Sequence, residues 1–323
     1  MAQDLSTLDK KNPVGRLAPS PTGFLHVGHA RSFLLAWWDT RSRGGRVVLR
    51  IEDLDRERCK PEYVEAARAD LEWLGLDWDG EALVQSRDLA PYERACESLL
   101  ERGFAYPCVC SRAEIHALSA PHASDGEQRY PGTCRGKWRT REEARDATGR
   151  TPGLRLAVPE GRVAIVDRLR GALEFEVAAE VGDFLIQRRD GAFAYQLAVV
   201  VDDARQGVDS VVRGEDLLSS AARQRLLHER LNLRPPSYAH VGLVLDGTGQ
   251  RLAKRRGDLA LAHLRAAGVD PRVLVAWAAR SLGVEVGQRA LAAEVLPRFT
   301  LAPRAAQPAQ FSDAEAELLR RST

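Results

Sequence analysis

Two histidines, His26 and His29, stand in the stretch RLAPSPTGFLHVGH from Arg16 to His29. Imidazole nitrogens donate hydrogen bonds to phosphate oxygens, and a spacing of three across a helix start lets both rings face one pocket. Pro19, Pro21 and Gly23 predict a stiff turn ahead of them. A strand continuing from Val14, this turn and a helix from about Gly28 would offer backbone N–H groups and the positive end of a helix dipole to an anion. A bare H-x-G-H pair is a weak signal, because two histidines near a turn are commonly surface residues. The flanking Pro-Ser-Pro-Thr-Gly strengthens it.

Carboxylates and thiols supply the other candidate chemistry. Glu52, Asp53 and Asp55 follow the apolar run RVVLRI, where a carboxylate in a cleft can pair with an ammonium group and an acidic loop can equally be solvated. The five cysteines are Cys59, Cys96, Cys108, Cys110 and Cys134, an odd number with three in one short region. Without a secretory signal, that clustering suggests a metal rather than disulfides. Cys108 and Cys110 on an extended segment put both sulfurs on one face, and Cys134 is a third ligand. Ligand chemistry alone nominates His116 or His122 as the fourth for tetrahedral zinc, against a reading of three unliganded thiols. Such a closed zinc site would be structural. Cys59 and Cys96 read as inert thiols.

The elements that would position these groups can be traced along the chain. From His29 to Arg41, Ala30, Phe33, Leu34, Trp37 and Trp38 recur at helical spacing and read as core rather than as a base-stacking surface. Gly44 and Gly45 end that helix and Arg46–Ile51 reads as a strand, completing a βαβ unit. Such units predict an α/β fold with a parallel sheet and ligands at the strands' carboxyl ends. Helices are expected from Pro61 to Leu74, closed by Gly75, and from Pro91 to Arg102. Residues 106–150 form an irregular cysteine-bearing insertion, and 141–180 read as strands of a connecting subdomain. Leu197–Val201 suits a doubly covered parallel strand, with Tyr195 just before it and Asp202 and Asp203 at its carboxyl end. Arg213 follows another strand and precedes a helix to about Leu231, and VGLVLDGTGQRLA at 241–253 reads as a hairpin. Beyond Gly257 helices are expected at Leu259–Ala267, Pro271–Leu282, Arg289–Leu296 and Ser312–Arg320. The organisation expected is a flexible tail at 1–13, two halves of one α/β domain at 14–105 and 181–257, an insertion at 106–180 and a helical region at 258–323.

The 323 residues, 44% hydrophobic and 28% charged, exclude global disorder and a coiled coil. No apolar run approaches a membrane span, and MAQDLSTLDKKN lacks the apolar core of a signal peptide, so a cytoplasmic location is expected. A net charge of +2 does not announce a nucleic-acid binder, and any RNA contact must come from a local patch.

The motifs taken together resemble a known family. Residues 16–29 look like the first signature of class I aminoacyl-tRNA synthetases in its glutamyl form, and RIEDLD at 50–55 strengthens the match. FAYQLAVVVDDARQGVDSVVRGEDL at 193–217 and RLAKRR at 251–256 are similar to later signatures of the same branch, in the same order. The resemblance implies a Rossmann-type catalytic domain that binds L-glutamate through Arg16, Leu17, Ala18, Pro19, Ser20, Glu52, Tyr195 and Arg213. Glu52 would receive the α-ammonium group, Tyr195 would contact the amino acid, and Arg213, helped by Arg16, would read the side-chain carboxylate. A guanidinium fork suits a carboxylate, and glutamine would leave part of it unpaired. ATP would be held by His26, Gly28, His29 and Lys254, with Mg2+ bridging phosphates. Of these, His26, His29 and Lys254 would be catalytic. Lys254 stands where the family's mobile loop carries its second lysine, while Arg251 replaces the first and Ala253 replaces the usual serine.

Within that branch the chain looks like the glutamyl-queuosine tRNA(Asp) synthetases, whose zinc module uses Cys-x-Cys and then Tyr-x-x-x-Cys. YPGTC supplies Tyr130 and Cys134, so this resemblance makes Tyr130 the fourth ligand, with His122 the rival. It implies transfer of glutamate to queuosine at the wobble position of tRNA(Asp) by a monomer, after an activation that needs no tRNA. The region after Gly257 is shorter than the anticodon-binding domain expected of a full glutamyl-tRNA synthetase. Arg135, Lys137, Arg139 and Arg141 form a candidate RNA-facing patch or a merely solvated run. The alternatives are a short glutamyl-tRNA synthetase charging a 3′ end and, given the altered lysine loop, a non-catalytic tRNA-binding relative.

Overall fold

The computed structural model describes residues 12–118, 129–252 and 259–322. His122, Ala253, Lys254 and nearly all of the expected tail lie outside the described residues. Strand β1 (Val14–Leu17) runs into the proline turn, α1 (Val27–Arg41) returns along it, and β2 (Arg46–Ile51) pairs with β1 in parallel, Leu17 opposite Leu49. Helix α2 (Pro61–Trp73) starts on a proline, which suits a first turn that has no use for its N–H, and β3 (Leu83–Val84) extends the sheet beside β2. There follow α3 (Ala90–Glu101), β4 (Ala105–Cys108), α4 (Arg112–Leu118), α5 (Arg141–Thr148), β5 (Gly153–Leu156), β6 (Val163–Asp167), β7 (Gly171–Phe175), α6 (Val177–Glu180) and β8 (Leu185–Gln187). Next come α7 (Tyr195–Gln206), β9 (Ser210–Gly214), α8 (Leu218–Arg230) and β10 (Ser237–Val241), with β9 and β10 joining β6 and β7 in one strand group. The chain closes with β11 (Val244–Leu245), α9 (Leu261–Ala266), α10 (Pro271–Ser281), α11 (Ala292–Val295), β12 (Ala309–Gln310) and α12 (Asp313–Arg320).

Two strand groups, β3-β2-β1 and β9-β10-β6-β7, meet where β1 lies beside the start of β9. Asp209 makes that join: its N–H donates to the Val14 carbonyl at 3.0 Å and its carboxylate accepts the Val14 N–H at 2.8 Å. Strand order therefore runs outward from β1 in one direction and from β9 in the other. A parallel sheet opens a crevice at the carboxyl ends of the strands flanking such a reversal. Close packing holds the reversal together: a Cβ on Gly15 would lie 2.0 Å from Thr40 Oγ1, so only glycine lets α1 lie this near β1. Trp38 is fully buried there, its indole N–H donating to the Ala292 carbonyl at 2.9 Å.

Three expected elements differ. Leu197–Val201 is not a strand but part of α7, which ends at Gly207 in the left-handed conformation. An apolar run covered on every side carries no period that separates strand from helix, and α7 is enclosed by α3, α8 and β8. Residues 141–148 form a helix capped by Thr140 and Glu143, each side chain bonding the other's backbone, and not a strand. Val241 belongs to β10, so the hairpin shrinks to β11 and a bridge from Leu245 to Arg251.

Candidate active site

A cavity of about 380 Å³ lies at the β1–β9 reversal. Ala18, Pro19 and Ser20 reach it from the turn after β1, Glu52 from the end of β2, Tyr195 from the start of α7 and Arg213 from β9. Leu17 is the exception among the expected glutamate contacts, since its side chain is fully buried in the core.

The cavity wall at the start of α1 is built by the two histidines. His26 caps the helix, its Nδ1 accepting the Gly28 N–H at 3.0 Å, while its own backbone N–H donates to His29 Nδ1 at 3.2 Å. With Nδ1 an acceptor on both rings, each neutral imidazole carries its proton on Nε2, the donor an anionic ligand requires. The ring centroids are 3.9 Å apart. Gly28 is needed because a Cβ would lie 2.8 Å from His26 Cε1.

Deeper in the cavity the charges are paired unequally. Glu52 accepts from the Ser20 hydroxyl at 3.0 Å and from Arg50 at 3.1 Å. Arg50 is fully buried and also donates to Asp203 at 2.7 Å; these carboxylates outweigh the burial that opposes its charge, and its pKa is raised. Arg16 Nη1 donates to the Val212 carbonyl at 3.4 Å, and its Nε lies 3.7 Å from Asp203, buried with no hydrogen-bond partner. Burial lowers the Arg16 pKa, with Asp203 opposing. Burial also raises that of the Tyr195 phenol, which stays protonated at neutral pH. Arg213 donates to His240 Nε2 at 3.0 Å, Gln224 Oε1 at 2.8 Å and the Leu217 carbonyl at 3.2 Å.

Remote from that wall, the sulfurs of Cys108, Cys110 and Cys134 lie within 4.8 Å of one another. Tetrahedral zinc with bonds of about 2.3 Å places its sulfurs about 3.8 Å apart, so the donor set fits a metal. The Tyr130 hydroxyl is 3.4 Å from Cys108 Sγ and 3.5 Å from Cys110 Sγ and accepts the Cys134 N–H at 2.9 Å. Arg155 places its guanidinium 3.8 Å over the Tyr130 ring and donates to Cys108 Sγ at 3.4 Å, a positive charge that favours anionic donors. His116 is exposed and no part of this cluster.

A family model described as tRNA synthetases class I (E and Q), catalytic domain, matches residues 14–301. The chain belongs to that family. It is therefore a ligase built on the class I catalytic fold. It is 47% identical over 279 residues to a Glutamyl-Q tRNA(Asp) synthetase of Nitratidesulfovibrio vulgaris, covering 84% of this chain and 86% of the relative. A protein of the same name in Symbiobacterium thermophilum is 45% identical over 308 residues, 92% of this chain and 95% of the relative. The crystal structure of a glutamate tRNA ligase from Elizabethkingia meningosepticum, in complex with its amino acid, superposes with a TM-score of 0.80 at 26% identity, over 96% of this chain and 69% of that one.

Within this class I synthetase, several cavity residues had a different expected place. Phe33, expected in the core, is half-buried: it packs against the core and also lines the cavity. Asp216 and Arg251 both line it and pair at 2.5 Å. Asp202 and Asp203 sit on α7, where Asp202 accepts from Gln85 and Tyr92. The sequence signal for Arg50 was an arginine inside a strand of buried residues, which requires buried partners. Asp53 accepts from Ser86, and Asp55 pairs with Arg58, so local contacts satisfy both. Burial raises the Cys96 thiol to about 12, in keeping with an inert side chain. Arg135 pairs with Asp183 at 3.3 Å, Lys137 and Arg139 are exposed, and Arg141 is half-buried. Among the described residues no helix is long and apolar enough to cross a membrane.

Proposed function

We propose that the enzyme activates L-glutamate with ATP, without tRNA, and transfers it to queuosine at the wobble position of tRNA(Asp). The observation that carries the activation step is one cavity lined by a carboxylate, Glu52, and by a guanidinium bonded only to neutral acceptors, Arg213. Glutamate bears an ammonium group and a second carboxylate, which these two groups complement. The α-carboxylate attacks the α-phosphorus and expels pyrophosphate, leaving glutamyl-adenylate. No protein nucleophile takes part; orientation and charge stabilisation carry the reaction. His26 and His29 donate to the triphosphate, and Lys254 meets the charge that develops on pyrophosphate. Mg2+, when bound with ATP, supplies further charge neutralisation at the phosphates. Cys108, Cys110, Cys134 and Tyr130 would hold zinc, which with four protein ligands has no open position and acts structurally.

Support for the second substrate is the shared name of the relatives at 42–48% identity. The decisive assay follows labelled glutamate into queuosine-containing tRNA(Asp), with unmodified tRNA(Asp) and tRNA(Glu) as controls. Labelling of queuosine-containing tRNA(Asp) alone is expected. Equal labelling of the unmodified tRNA would refute the assignment. The likeness to a glutamate tRNA ligase favours a second reading, a glutamyl-tRNA synthetase charging a 3′ terminus, which predicts labelling of tRNA(Glu) instead.

A further inference from the structure

Arg213 and His240 face each other across the parallel pair β9–β10, in register. His240 is fully buried, and its Nδ1 lies 2.6 Å from Asp167 Oδ2, which also accepts the His240 backbone N–H at 3.1 Å. The other oxygen of Asp167 accepts the N–H groups of Leu169 and Arg170 at 2.9 and 3.1 Å. This carboxylate is thus occupied by four donors, none of them Arg213. Guanidinium is donor-only, so the 3.0 Å contact from Arg213 Nε obliges His240 Nε2 to be the acceptor. The ring is therefore neutral, its proton on Nδ1 facing Asp167.

The other partners of Arg213 are uncharged as well: the Gln224 amide oxygen, the Leu217 carbonyl and, 4.9 Å away, the Tyr238 ring. Arg50, by contrast, meets two carboxylates, and Arg16 lies beside Asp203. A guanidinium has five N–H donors. Three are used within the protein, and one remains on each terminal nitrogen, the pair a carboxylate fork engages.

We propose that His240, oriented by Asp167, is a positioning and specificity residue: with Gln224 it fixes the Arg213 guanidinium through neutral acceptors, leaving its charge for the substrate's side-chain carboxylate. The imidazole separates Asp167 from Arg213, so the carboxylate sets the geometry without neutralising the cation. This rests on the glutamate-activating reading above.

The test is glutamate-dependent exchange of pyrophosphate into ATP, measured with the full chain and three variants of checked thermal stability. Gln224→Glu sets a carboxylate against Arg213 in nearly unchanged volume, and the Gln196 amide can turn to donate to it. It is expected to raise KM for glutamate by about 10-fold or more and to shrink the preference for glutamate over glutamine, with KM for ATP within about 2-fold. His240→Leu, which removes the acceptor, is expected to raise KM for glutamate similarly. His240→Gln, which can still donate to Asp167 and accept from Arg213, should recover most of the loss. A folded Gln224→Glu with the parent KM and preference overturns the proposal, as does His240→Gln no better than His240→Leu. Should His240→Leu fail to fold, Gln224→Glu still decides. Absence of glutamate-dependent exchange in the parent enzyme would instead refute the activation reading itself, an outcome visible before any variant is made.

Discussion

Arg50 on β2 donates to Asp203 on α7 at 2.7 Å, a buried bond that ties the first half of the sheet to a helical residue 153 positions later in the chain. The same guanidinium holds Glu52, so the cation sets the carboxylate that faces the cavity. Removing Asp203 leaves the fully buried Arg50 bonded to one carboxylate, Glu52, in place of two.

Asp203→Asn is therefore expected to lower stability by about 3 kcal/mol, the usual cost of breaking a buried ion pair. Urea denaturation measures it. KM for glutamate should rise as well, because Glu52 is drawn further onto Arg50.

Gly28→Ala pushes a methyl against His26, whose Cε1 would stand 2.8 Å away. The ring must turn and release the Gly28 N–H. We expect KM for ATP to rise about 10-fold, with a smaller effect on glutamate, in steady-state pyrophosphate exchange.

Lys254→Ala removes the cation proposed to meet departing pyrophosphate. Activation should slow by about 10²-fold or more with little change in glutamate affinity, judged by other charge-stabilising donors. Single-turnover adenylate formation gives that rate directly.

The cysteine cluster predicts one zinc per chain by elemental analysis. Cys110→Ser, or prolonged chelation, should release it and lower the melting temperature. Adenylate formation should stay within about 3-fold of the parent, because a closed site has a structural role.

Burial holds the His240 imidazole down at about 4, from an ordinary 6.5, with Arg213 adding to the effect and Asp167 opposing it. Between those values the unfolded chain binds a proton that the folded one does not. Stability thus rises with pH across that window and is lost as the pH falls from 6.5 towards 4, by up to about 3 kcal/mol. Denaturation at a series of pH values should show this slope, flattened in His240→Gln.

Much of the fold was legible locally. Pro61, Pro271 and the Ser312–Glu315 capping box mark helix starts that the structure places within a residue or two of expectation, since capping is satisfied by neighbours in sequence. The Thr140–Glu143 box was an equally local signal, obscured by reading its charged stretch as part of a strand-rich region. The three cysteines could be grouped because their ligand chemistry is independent of fold.

Ordered motifs alone pointed to the family, the α/β class and several of the polar residues that gather around one cavity, Arg16, Glu52, Tyr195 and Arg213 among them. Tertiary structure decided how their charges are shared. Arg16, Arg50 and Arg213 are the same residue type in similar strand settings, and only packing shows that Arg50 is neutralised by Glu52 and Asp203 while Arg213 meets uncharged partners. The physical reason is distance along the chain: Asp203 and His240 reach these arginines only when a helix and a neighbouring strand close over them, and no local pattern encodes a partner that arrives by folding.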